Sequence, residues 1–301
     1  MQIAKFEINV RVILAFAAIY ILWGTTFLAI RIAVLEFPPL LTAGLRFFIA
    51  GTLLYAFMRL RGQANPSPME WRNLALISVC MFVITYGAIF WAEQFVYSGV
   101  TSVIEATLPI TTVILEMFVF RTQAFRATLF GAVVLGFFGV ALMFIDNRAQ
   151  HLAILPCLAI LLGGTAWSVG AVLSGQLALP RSKPLTAGAE MMIGGLILLL
   201  LSGVSGEMRP LPHLSLRAAL AVIYLVIFGS LIAYTAYVWL LGRMSVTTVA
   251  SHAYINPVVA VALGYFIAGE IVTMRTLIAA AVVLGSVVLI LARAPSRLSP
   301  G

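Results

Sequence analysis

The sequence predicts an all-α membrane protein, with ten transmembrane helices in two inverted five-helix repeats. Three observations carry that expectation. Of 301 residues, 62% are hydrophobic and 9% are charged, whereas a soluble domain carries roughly 25% charge and about 45–50% apolar residues. The apolar residues fall into ten runs, each near the ~20 residues a spanning helix needs. The chain also repeats itself at a spacing near 145 residues. A large soluble core does not explain the excess, because a folded soluble protein still needs polar groups outside. Disorder, a collagen-like repeat and a secreted disulfide scaffold are excluded on composition as well.

The ten runs are 12–34, 40–59, 73–96, 100–120, 126–145, 152–174, 185–203, 216–240, 246–267 and 274–292. The first is too long for the core of a signal peptide. No small-residue cleavage site follows it, and Arg31 and the Pro38-Pro39 turn come next, so it is kept as a mature helix. The second starts at that turn and carries Arg46. The third and the eighth follow the longest loops, 60–72 and 204–215, which are rich in Pro and polar residues. The fourth contains Pro109 and the ninth Pro257, and each proline frees a carbonyl and kinks its helix. The fifth and tenth share Ala-Val-Val-Leu-Gly, at 132–136 and 281–285. Its Ala and Gly, four apart, suit close helix packing. The sixth holds Trp167 beside Gly163, Gly164 and Ser168, and the seventh opens on Leu185-Thr186-Ala187-Gly188.

That last tetrapeptide repeats Leu41-Thr42-Ala43-Gly44 at an offset of 144, which Trp23 and Trp167 share. Val100-Thr101-Ser102-Val103 aligns with Val246-Thr247-Thr248-Val249, and Pro109 with Pro257 after a two-residue insertion. The two units are 12–145 and 152–292. Each holds five spans, an odd number, so the second enters the membrane from the opposite side. Inverted repeats of this kind build transporters whose substrate site lies near the midplane, between the units.

The net charge of +8 has a topological reading rather than a nucleic-acid one. With the N-terminus inside, 12 of the 18 Lys and Arg fall in inner segments and five in outer ones, while Arg46 lies within a helix. Basic residues collect in cytoplasmic loops, so both termini are expected in the cytoplasm.

Ionisable groups at membrane depth are costly and mark functional candidates. Glu105 lies four residues before Pro109, on one helix face. Beside a freed carbonyl it would bind a substrate ammonium or a proton; alternatively it is an idle acid near a helix end. His252 and Asn256 occupy the matching region of the second unit, either in the site or as a histidine satisfied inside the bundle. Arg46 and Glu190 are repeat equivalents of opposite sign. They either form an intramembrane ion pair, the favoured expectation, or face one cavity from opposite sides. Glu93, near a helix end, is expected in water. Trp23 and Trp167 suit a paired aromatic wall for an organic solute, with Tyr86, Tyr234 and Tyr254 adding hydrogen-bonding wall. Plain packing is the alternative for each.

These residues sit in motifs that resemble a known family. Trp23-Gly24-Thr25-Thr26-Phe27, Pro38-Pro39-Leu40 with Arg46-Phe47, and Ala92-Glu93-Gln94 before Ser98-Gly99-Val100-Thr101-Ser102 come in that order. Tyr254-Ile255-Asn256-Pro257 and Gly269-Glu270 close the series. Together they resemble the drug/metabolite transporter superfamily in its EamA-type ten-helix form, over about 12–292. The resemblance implies export of small metabolites, prominently amino acids and aromatic ones among them, across a bacterial inner membrane. One departure stands out. Glu270 lies thirteen residues after Pro257, but Thr122 holds that place after Pro109, so Glu270 receives no symmetric gating role.

Several chemistries are absent. There is no GxxxxGK[ST], no HExxH and no GxSxG, and Asp146 is the only aspartate. No catalytic residue, metal or cofactor is expected. The expectation is a secondary transporter working by alternating access on a small solute, surrounded by lipid and driven by the solute gradient or by protons. Neither nucleic acid nor an oligomer is required. An intramembrane enzyme or a non-transporting receptor on the same scaffold is the alternative.

Overall fold

The computed structural model describes residues 10–121, 127–142, 153–207, 215–244 and 246–293. The chain forms helices α1 (Val10–Val34), α2 (Pro39–Leu60), α3 (Pro68–Ala92), α4 (Ser98–Val119), α5 (Ala127–Leu142), α6 (Ile154–Ser174), α7 (Lys183–Ser205), α8 (Leu216–Leu241), α9 (His252–Ala268) and α10 (Met274–Arg293). A single turn, Val246–Val249, precedes α9. Among the described residues seven helices, α1–α4 and α6–α8, are long and apolar enough to cross a membrane; shorter apolar stretches occur at Phe130–Gly139, Ile255–Ala268 and Met274–Ser286.

Local chemistry sets the helix ends. Ser67 accepts from the Glu70 amide while the Glu70 carboxylate accepts from the Ser67 amide, and Pro68 fills the first turn of α3. This reciprocal cap satisfies two amides that have no partner within the helix. Two other caps cross between helices. Beyond α7, Gly206 turns left-handed at φ 81°, and the next residue, Glu207, accepts from the amides of Leu40 (3.4 Å) and Leu41 (3.0 Å) at the start of α2. Beyond α9, Gly269 does the same at φ 66°. Glu270 accepts from the Ser98 amide (2.9 Å), the Ser98 hydroxyl (2.8 Å) and the Gly99 amide (3.2 Å) at the start of α4. A carboxylate at a helix N-terminus meets both free amides and the positive end of the dipole. Removing it strands buried donors, at about 1–3 kcal/mol each. Glu270→Ala should therefore lower the thermal midpoint clearly, and Glu270→Gln, which keeps one acceptor, should lower it less. Equal midpoints in wild type and Glu270→Ala would count against this cap.

The strongest helix contacts join the first five helices to the last five. α2 runs along α7 and α5 along α10; α3 packs on α6, α1 on α8 and α9, and α4 on α6 and α9. Glycine permits the closest of these. A Cβ added at Gly51 would stand 2.2 Å from the Met192 backbone nitrogen, and one at Gly195 2.2 Å from that of Phe48. Gly51 and Gly195 are 144 residues apart in sequence, as are Phe48 and Met192. In α5, Gly136 fits under Ile110 and Ser286, whereas its counterpart in α10, Gly285, faces open space.

Two local features depart from the expected helices. α4 is broken: its first segment ends at Glu105, and the helix restarts at Leu108. Pro109 sits in the first turn of the new segment, where its missing amide costs nothing. So Glu105 and Pro109 do not share one continuous helix face, and Pro109 marks a break rather than a kink. Pro257 does lie inside α9. Secondly, π-helical turns interrupt α1 (Ala18–Leu22), α3 (Val79–Ile84), α4 (Leu115–Val119) and α8 (Leu225–Tyr234). Such turns recur at functional sites. Three of them end at or just before Trp23, Tyr86 and Tyr234.

Candidate functional site

A cleft opens where α1, α3, α4, α6 and α9 meet. Six of the expected site residues line it: Trp23, Tyr86, Glu105, Trp167, His252 and Asn256. Thr26, Thr85 and Ser102 join them; they are too ordinary to stand out in a sequence of this composition.

The aromatic wall is held from both sides. Trp23 and Trp167 meet edge to face, their centroids 5.7 Å apart. The Trp23 indole N–H donates to the Gly229 carbonyl at 3.0 Å, and that of Trp167 to the Tyr237 hydroxyl at 3.1 Å. Both rings are buried, so each is wall and packing at once.

Asn256 ties α9 to α1. Its amide is satisfied at both ends when the nitrogen faces the Ile19 and Tyr20 carbonyls (3.2 and 2.9 Å) and the oxygen accepts from His252 Nδ1 (3.2 Å). Both carbonyls belong to the π turn of α1, which loosens the usual backbone pairing there. This network assigns the proton of His252 to Nδ1, which makes Nε2 an acceptor. The Trp23 ring stands 4.9 Å from the imidazole. His252 Nε2 and Glu105 Oε1 are both buried and have no hydrogen-bond partner. A buried polar atom without a partner is costly unless something occupies it. The cleft thus holds a carboxylate and an imidazole lone pair, and neither Lys nor Arg lines it. Among the described residues no three His, Cys, Asp or Glu side chains gather as a metal site.

Three expectations change. Arg46 and Glu190 do not pair. Arg46 Nε donates to Ser230 Oγ at 2.9 Å, and the guanidinium lies over the rings of Phe47 (4.5 Å) and Tyr86 (5.1 Å), its two terminal nitrogens unpartnered. Glu190 instead accepts from the Tyr234 hydroxyl at 2.7 Å. Arg46 thus touches Tyr86 and Glu190 touches Tyr234, each a tyrosine from the same set of five helices. Tyr234 consequently lines a second cavity with Glu190, not the cleft. Finally, Glu93 is fully buried, not solvated, and neither of its carboxylate oxygens has a partner. The turn after α3 folds inward, with Ala92 and Val96 in the core beside α4, and Arg31 donates to the Glu93 carbonyl. The side chain of Tyr254 lies outside the described residues.

The chain is similar to known transporters over nearly its whole length. The profile of the EamA-like transporter family matches residues 10–145 and 154–292. The uncharacterized inner membrane transporter YedA of Escherichia coli (strain K12) is 37% identical, over 92% of this chain and 89% of its own. A probable amino-acid metabolite efflux pump of the same strain is 26% identical, over 81% and 82%. A solved crystal structure superposes with a TM-score of 0.68 at 20% identity, over 95% of this chain and 99% of the other, which speaks to the fold alone. The chain belongs to the EamA-like transporter family of the drug/metabolite transporter superfamily and is a membrane transporter.

Proposed function

We propose that the chain is a secondary transporter of the inner membrane that exports small metabolites, amino acids foremost, by alternating access, with ten spans in two inverted repeats, 12–145 and 152–292, and both termini cytoplasmic. The observation that carries this reading is the cleft at the junction of the two sets of helices, with Glu105 Oε1 and His252 Nε2 bare inside it. Both atoms accept, which suits the donors of a protonated amine, and the Trp23–Trp167 wall suits an apolar side chain. The names of the two Escherichia coli relatives, an inner membrane transporter and an amino-acid metabolite efflux pump, point the same way.

Geometry supports the repeat. Packing pairs map onto one another when the two sets of five are exchanged: α1 on α8 matches α6 on α3, and α1 on α9 matches α6 on α4. The Gly51 and Gly195 contacts are the same contact made twice. Arg121, at φ 52°, turns left-handed after α4 where Gly269 does so after α9.

Proteoliposomes loaded with unlabelled amino acids and offered a labelled one test the reading. Saturable counterflow is the expected result; uptake equal to protein-free vesicles across all amino acids and simple amines would sink it. The site residues are tested by Trp167→Phe, which keeps most of the buried ring. It should reduce flux several-fold at near-normal folded yield. Normal flux per folded molecule would make Trp167 a packing residue only.

A further inference from the structure

The second cavity lies beyond the aromatic wall. Trp167 lines the cleft, Tyr234 lines the second cavity, and the two rings meet at 6.2 Å. Lys183, Thr186 and Glu190 of α7 form one side of it, and Val238 of α8 faces them. Its charge content differs from that of the cleft. Lys183 and Glu190 are seven residues apart, two turns along one helix face, which separates their backbones by about 10 Å. Glu190 is buried, yet its hydrogen bond from Tyr234 uses only Oε2. No Lys183–Glu190 ion pair forms among the described residues, although both side chains line this one cavity. The methylene stem of Lys183 lies across Gly242, where an added Cβ would stand 2.9 Å from Cε. Both opposite charges are therefore held on one wall, apart, with apolar surface beside them. Neither has a counterpart of its own kind in the first five helices: 144 residues earlier stand Pro39 and Arg46.

We propose that this second cavity is a binding site for zwitterions, in which Glu190 takes the ammonium and Lys183 the carboxylate of an α-amino acid before the ligand passes the Trp167 and Tyr234 rings. The cleft reads only the ammonium, through Glu105, so the demand for a carboxylate resides in Lys183. This rests on the amino-acid reading above and adds the site and the residues that make both charges necessary. A ligand lacking its carboxylate loses one contact here and none in the cleft.

The test compares phenylalanine with phenethylamine, which lacks the carboxylate, in counterflow through the full chain in proteoliposomes. Lys183→Gln should raise the KM for phenylalanine tenfold or more and leave that for phenethylamine within twofold, and Lys183→Arg should restore phenylalanine. A KM unchanged for both, or raised equally for both, overturns the proposal. Should Lys183→Gln lower the folded yield, competition on wild type reads the same selectivity: phenethylamine should inhibit phenylalanine flux at least tenfold less well than unlabelled phenylalanine, and equal potency overturns the proposal. Wild type that carries phenylalanine while Lys183→Gln behaves identically defeats the second site alone. Wild type that carries phenethylamine but not phenylalanine defeats the amino-acid reading with it.

Discussion

Gly51→Ala should nearly abolish folded protein, and Gly195→Ala should do the same. At both positions the new Cβ would stand 2.2 Å from a backbone nitrogen of the facing helix. No rotamer change relieves a clash with backbone, so α2 and α7 must separate along their shared length. Overpacking in well-packed cores costs typically about 1–3 kcal/mol, occasionally more, and this contact belongs at or above the top of that range. In a bilayer the loss is not recovered elsewhere, because helix association there rests on close packing rather than on a hydrophobic drive. Gly203 is the control. It lies on the same α7 with nothing within 4 Å of its added Cβ, so Gly203→Ala should fold as wild type or slightly better, given the helix preference of alanine. The measurement is the monodisperse fraction on size exclusion and its thermal midpoint. If Gly51→Ala and Gly203→Ala gave equal midpoints, the close approach of α2 and α7 would be refuted.

Glu105→Gln should leave yield intact and cut flux about 10- to 100-fold. The substitution is isosteric, and Oε1 has no internal partner to lose, so the folded state gives up little. What disappears is a charge-assisted hydrogen bond to the substrate ammonium, of the order of 1.5–3 kcal/mol. The check is counterflow per folded molecule, read beside the size-exclusion profile. An unchanged rate at unchanged yield would remove Glu105 from the substrate site. A second arm addresses coupling: where protons drive transport through this group, an imposed pH gradient accelerates wild type and leaves Glu105→Gln indifferent. Wild-type flux insensitive to the gradient assigns Glu105 to the substrate alone.

The sequence carried the helical class and the pairing of Trp23 with Trp167, because periodicity and repeat offset are visible in one dimension; Glu105 and His252 stood out only as rare ionisable groups at membrane depth, and Asn256 by its spacing from His252. It did not carry the fate of Arg46 and Glu190. A shared offset in sequence does not by itself bring two side chains into contact; these two instead turn to Tyr86 and Tyr234. The break in α4 was hidden because a proline has the same letter whether it kinks a helix or starts a new segment. The π turns leave no compositional trace, since one inserted residue shifts register without changing residue type. Burial of Glu93 depended on the inward fold of a short turn, which no helical pattern reports. The second cavity escaped notice because Lys183 reads as one more basic residue at an inner helix end.

The exchange of partners between the two sets of helices has a consequence for biosynthesis. Gly51 closes against a helix that begins at Lys183, and the starts of α2 and α4 are capped by Glu207 and Glu270. Phe48 and its neighbours therefore enter the bilayer well before their partners exist. The 144 residues between Gly51 and Gly195 take roughly 7–30 s to synthesise at 5–20 residues per second. During that interval the glycine face of α2 stands open, and the starts of α2 and α4 have no caps. The nascent chain passes through a half-assembled state that quality-control proteases can sample, so substitutions in the last five helices should limit cellular abundance by prolonging it.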